Sequence, residues 1–152
     1  SLGIDGETLS VPNCSDFGAY IGGGWLEEYA FLQLQPLMNA GNIFDLRIGL
    51  EIIPAGQQPR YGHMPFGEFD CVFTDGHRLF IVECKAGAVK QDHVQKLENN
   101  LKNYGGIAAK GMLISAFPVT PMLQMRMASS TSIRYVSPEK NTTQNLKNTI
   151  LC

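Results

Sequence analysis

The sequence has no apolar run long enough to form a membrane-spanning helix, and no secretory leader is visible at its start. No membrane partner is expected. It also has no surplus of positive charge: 12 Lys and Arg stand against 14 Asp and Glu, for a net charge of −2. That argues against a domain that grips nucleic acid through bulk charge alone. Cysteine is sparse. Cys14, Cys71, Cys84 and Cys152 form no C-x-x-C pair and no Cys/His cluster with zinc spacing. A zinc module is excluded, and free thiols in a reducing cytoplasm are the expectation. Gly22-Gly23-Gly24 lacks the following Lys-Ser/Thr and the preceding strand of a phosphate loop. No internal repeat or low-complexity tract occurs.

What is present is a globular composition, 44% hydrophobic over 152 residues, which suits one domain with a real core. The stretch Gly67 to Lys85 organises it. Apolar and aromatic runs on either side of Asp75-Gly76-His77 predict two strands and a tight turn. With Gly76 and His77 as the loop, Asp70 falls opposite Glu83, and Lys85 shares the Glu83 face. Opposed acids repel in a plain sheet, so the pair needs another use. Two carboxylates at that separation can flank a hard divalent cation. An ion there can activate water and offset charge on a phosphoryl group, with the lysine orienting water or stabilising the transition state. The alternative is a hairpin with solvated charges. Cys71 and Cys84 alternate onto the other face as small core residues.

The remaining chain supplies a frame. Residues 1–21 read as a linker or lead-in, and 22–152 as the domain. Trp25 to Gln35 predicts a helix stopped or kinked by Pro36. Glu27 sits on its more apolar stripe, with Ala30, Phe31 and Leu34, and Glu28 on the next. Either could supply a third acid, or simply complement the helix dipole. Residues 43–53 alternate as a half-buried strand with Leu46, Ile48, Leu50 and Ile52 on one face. The long connection from Pro54 carries Arg60, Tyr61 and His63, candidates for phosphate or base contact, and leads to Glu68, a candidate outer ligand. Lys90 to Tyr104 predicts a helix on the stripe Val94, Leu97, Leu101 and Tyr104. Gln91, Gln95, Lys96 and His93 are assigned to its solvated side. Gly111 to Phe117 predicts a buried strand parallel to the Glu83 strand. A short helix then begins at Pro121, with Met122, Met125 and Met127 as packing residues. A last strand covers 132–136, and 138–151 reads as a polar helix or fraying tail.

The spacing Asp70-x(12)-Glu83-x-Lys85 resembles the PD-(D/E)xK nuclease signature, with Phe69 where a proline is usual. The element order resembles the restriction-endonuclease-like core: α/β, a mixed central sheet flanked by helices. The resemblance implies Asp70, Glu83 and the Cys84 carbonyl as metal ligands, with Lys85 catalytic. It marks Gln95 and Lys96 as possible substrate contacts. Gly23-Gly24-Trp25-Leu26-Glu27-Glu28-Tyr29, Glu68-Phe69-Asp70 and Ile81-Val82-Glu83-Cys84-Lys85 are together similar to the nuclease domain of CRISPR accessory effectors of the Card and Can type and the DUF1887 group. This implies a catalytic set of Glu27, Asp70, Glu83 and Lys85, supported by Glu68 and Glu28. It further implies Mn2+ or Mg2+, a homodimer, a linked cyclic-oligoadenylate sensor and an antiviral role. The implied substrate is nucleic acid, DNA ahead of RNA, single-stranded or supercoiled. The alternatives are a junction-resolving or restriction-type nuclease, or a non-cleaving nucleic-acid-binding module of the same fold.

Overall fold

The computed structural model describes residues 3–5, 8–10, 15–53, 55, 67–138 and 142–151. Arg60, Tyr61 and His63 lie outside the described residues. The segment read as a lead-in contains β1 (Gly3–Asp5) and β2 (Thr8–Ser10), an antiparallel pair, then α1 (Ser15–Ala19). A π-type turn over Tyr20–Gly24, kinked at Gly23, joins α1 to α2 (Trp25–Asn39).

The main sheet has five strands in the order β3-β4-β5-β6-β7. β3 (Phe44–Ile52), β4 (Gly67–Thr74) and β5 (Leu79–Lys85) form the expected antiparallel meander. β5 to β6 (Lys110–Ser115) and β6 to β7 (Ile133–Val136) are parallel. Two apolar layers cover it. On one face, Leu26, Ala30 and Leu34 of α2 meet Cys71, Phe73, Phe80, Val82, Met112 and Ile114. On the other, α3 (Gln91–Asn100) and α4 (Pro121–Ser129) bring Val94, Leu97, Leu123 and Met127 onto Val72, Ile81, Leu113 and Ile133. Close approach is built in at Gly111, where a Cβ would lie 3.0 Å from carbons of Leu97 and Leu101.

The β4–β5 turn forms as its residues dictate. The Asp75 carboxylate accepts the N–H groups of His77 (2.9 Å) and Arg78 (2.7 Å), and Gly76 takes φ 92°. The pairs Cys71–Val82 through Thr74–Leu79 hold the expected register.

Four expectations change. α2 runs through Pro36 to Asn39. The bond Pro36 cannot make is to Leu32, whose side chain is on the exposed side, while Leu37 beyond it is buried. Strand β3 is an edge strand and largely exposed: Leu46 is buried, but Ile48 is 42% and Leu50 40% exposed. Alternation tells which residues share a face, not whether a layer covers it. A bulge with Asp45 at φ 49° shifts its register between Phe44 and Arg47. Of the polar helix or fraying tail expected over 138–151, the helix forms, as α5 (Thr142–Leu151), and what changes is its packing: Leu146 and Ile150 are buried against the α2 layer. Its Thr142 and Thr143 hydroxyls pair with Tyr29 and Gln33 of α2. Met127 packs, whereas Met122 and Met125 are exposed, because Leu123 and Met127 alone make the inward stripe of α4.

Candidate active site

The last paired rung of β4 and β5 is Cys71–Val82. Beyond it the Asp70 carboxylate takes the place of a backbone partner: its Oδ2 accepts the Cys84 N–H at 2.6 Å. Asp70 and Glu83 are both buried at this end of the strands, near enough for the charge of Glu83 to act on Asp70. Burial, followed by the charge of Glu83, pushes the Asp70 carboxyl up to about 6, against the lowering pull of the Cys84 N–H and Lys85.

Glu83 is held from one side. Its Oε1 receives Lys85 Nζ at 2.7 Å and Lys96 Nζ at 3.0 Å. Its Oε2 is buried with no hydrogen-bond partner. Such an atom carries an unmet cost unless a donor or cation serves it. Burial works to strip Lys85 of its proton, but the hydrogen bond and charge of Glu83, with Asp70, hold its pKa above the ordinary lysine value. The Lys85 ammonium therefore stays paired with Glu83.

Glu27 enters from the first turn of α2. It is half-buried, and its pKa is raised by burial, then by Glu68; Glu83 adds to this and Lys85 and Lys96 oppose it. Its carbonyl oxygen accepts the Cys71 thiol at 3.7 Å, which ties the helix start to β4 beside Asp70. Glu28 is exposed and bonded by the Tyr20 phenol, whose pKa rises as a result, so it does not join the group. Glu68 is exposed but near enough to act on Glu27. Gln95 turns toward Asn99 and Arg126 and away from the acids. The two described thiols are free and buried, and burial holds them in the protonated form, pushing Cys71 up to about 12 and Cys84 higher still.

Lys96, given by its helix position to the solvated side of α3 and by the resemblance to a possible substrate contact, reaches Glu83. The residue is exposed, but its long stem carries Nζ back to Glu83. His93, one turn earlier and read from the sequence as solvated, lies near enough to Lys85 to feel its charge. Its Nδ1 accepts the Lys90 N–H at 3.2 Å, and burial and then Lys85 lower its pKa. The available signal was the flank shared by residues 93, 96 and 97 in the first helix after Lys85.

The donors suit a hard cation: two buried carboxylates, one with an oxygen lacking a partner. Among the described residues no three His, Cys, Asp or Glu side chains form a complete cage. Carbonyl and water oxygens would have to complete the shell, as is usual for Mg2+.

A model of the Card1-like endonuclease domain matches residues 14–151. The chain belongs to this family. As a Card1-like endonuclease domain it is a nuclease domain by family. Protein VC1899 from Vibrio cholerae is 19% identical, with a TM-score of 0.79 over 99% of this chain; the chain spans 39% of that protein's length. The small subunit of the heterodimeric restriction endonuclease R.BspD6I is 16% identical, with a TM-score of 0.56 over 84% of this chain and 77% of its own. These likenesses show the fold, the restriction-endonuclease-like α/β core. Comparison with curated proteins gives no match. No helix among the described residues is long and apolar enough to cross a membrane.

Proposed function

We propose that the Card1-like domain cuts phosphodiester bonds with Mg2+ or Mn2+ held by Asp70, Glu83 and the Cys84 carbonyl. The observation that carries this is Glu83 Oε2, buried and partnerless beside Asp70. A bound ion supplies Lewis-acid activation of water and charge neutralisation at the phosphoryl group. The side chains do the rest. Glu83 positions the Lys85 ammonium 2.7 Å away. Lys85 orients the attacking water or donates to negative charge developing on the phosphate. Lys96 adds a second cation on the open side, where a backbone phosphate would approach. Glu27 completes the acidic group, with Glu68 at its edge. The family resemblance supports DNA ahead of RNA, a homodimer, a linked cyclic-oligoadenylate sensor and a CRISPR-linked antiviral role. The catalytic unit is proposed to span 22–152.

Labelled single-stranded DNA, supercoiled plasmid and RNA are incubated with the protein plus Mn2+, Mg2+ or EDTA, with Glu83→Ala as control. Cleavage that requires metal and vanishes in the variant is expected. Cleavage that persists in EDTA or in Glu83→Ala would overturn the assignment.

A further inference from the structure

The opposite end of the sheet carries a cavity of about 320 Å³. It opens where β5, β6 and β7 begin, against the last turns of α5. Arg78 to Lys85 spans seven residues along the β5 segment, so roughly 20 Å of strand separates this cavity from the acids. Arg78, Lys110 and Arg134 line it, and no acidic side chain does so among the described residues.

The three cations are not equivalent. Arg78 is committed: Nε pairs with Asp75 at 2.8 Å, and an N–H of the guanidinium caps the Ile150 carbonyl at 2.7 Å. That bond also offsets the negative end of α5 at the cavity wall. Lys110 and Arg134 hold only backbone carbonyls: Lys110 that of Thr131 (2.8 Å), Arg134 those of Ser130 (2.7 Å) and Ile133 (2.9 Å). Neither pairs with a carboxylate among the described residues. Their positions are set by neutral partners, and no acid among the described residues compensates their charges. Asn148 contributes as well. Its side-chain oxygen is taken by Gln144 at 2.8 Å, which leaves its NH2 group as the donor end. Buried Phe80 adds apolar wall, with Arg78 stacked 5.3 Å over its ring.

We propose that this cavity binds the phosphate group of a nucleotide, with Lys110 and Arg134 as its charged ligands. Its volume falls at the small end of ligand pockets, which suits one nucleotide unit. Two sources share this chemistry: a free mononucleotide, and the terminal nucleotide of a nucleic-acid strand. Either would be held away from the acids at the other end of β5.

Binding is measured by calorimetry in EDTA, so that no cleavage occurs and the outcome is independent of the nuclease reading. The probes are inorganic phosphate, deoxyadenosine 5′-monophosphate, and a short single-stranded oligonucleotide with a 5′-phosphate. Saturable binding of a nucleotide probe is expected, weakened about tenfold or more by Lys110→Met and by Arg134→Ala. Lys102→Ala, an equal charge loss at an exposed site elsewhere, should leave it unchanged. Arg134 is exposed, and its variant keeps the proposal testable if Lys110→Met fails to fold. Mononucleotide binding identifies a small-molecule site; oligonucleotide binding alone identifies a strand end. No saturable binding of any probe, or affinity equal in wild type and the Arg134 variant, would overturn the proposal.

Discussion

The Asp70 carboxylate and the Cys84 backbone N–H meet at 2.6 Å, one step past the last regular rung of the β4–β5 ladder. An acid thus replaces a main-chain acceptor inside the sheet. The chain holds that acid buried next to Glu83, an arrangement that costs stability without a cation.

Lys85→Ala should abolish cleavage while leaving the fold and Mn2+ binding in place. Removing one charged donor from a preorganised site costs about 10²–10³ in rate. Single-turnover cleavage together with Mn2+ calorimetry checks it; unchanged cleavage would remove Lys85 from the mechanism.

Asp70→Asn should stabilise the metal-free protein near neutral pH. The folded-state carboxyl is raised to about 6, above its unfolded value near 4, so the folded state binds the proton more tightly. Ionisation then works against the fold, increasingly from about pH 4 to pH 6 and fully above that. The gain at neutral pH is about 1–3 kcal/mol and disappears below about pH 4. Urea unfolding in EDTA at both pH values measures it. Mn2+ should raise the melting temperature of the wild type and not that of the variant.

Glu27→Gln and Glu28→Gln should separate. The first should slow cleavage at least about tenfold, because Glu27 lies in the field of Glu68, Lys85 and Glu83. The second should not, since Glu28 faces solvent and Tyr20. Equal activity in both variants would leave the site with two acids.

Asp75→Asn should lower stability at neutral pH by about 0.5–1 kcal/mol. Burial alone would raise this carboxyl, but the N–H groups of His77 and Arg78 and the Arg78 guanidinium hold it below its usual range. A lowered folded-state value gives stability above the unfolded pKa, lost as pH falls through the folded one. The difference between wild type and variant should therefore shrink at pH values below the ordinary aspartate range. Denaturant midpoints at neutral pH and in acid provide the test.

Local rules account for what the sequence by itself determined. Hairpin register follows from a turn that Asp75 and Gly76 specify within a few residues, and it placed Asp70, Glu83 and Lys85 together. Helical stripes such as Val94, Leu97 and Leu101 follow from a 3.6-residue period. Distances between elements obey no such period, and these the tertiary structure alone decided. It exposed β3 by leaving it at an edge, and it let α2 pass Pro36 because Leu37 is buried beyond it. It brought Glu27, and not Glu28, near Glu68 and Glu83 by tying the start of α2 to Cys71 of β4. It brought Lys96 to Glu83, because a long side chain on one element can reach a carboxylate on another whatever its own helix face suggests.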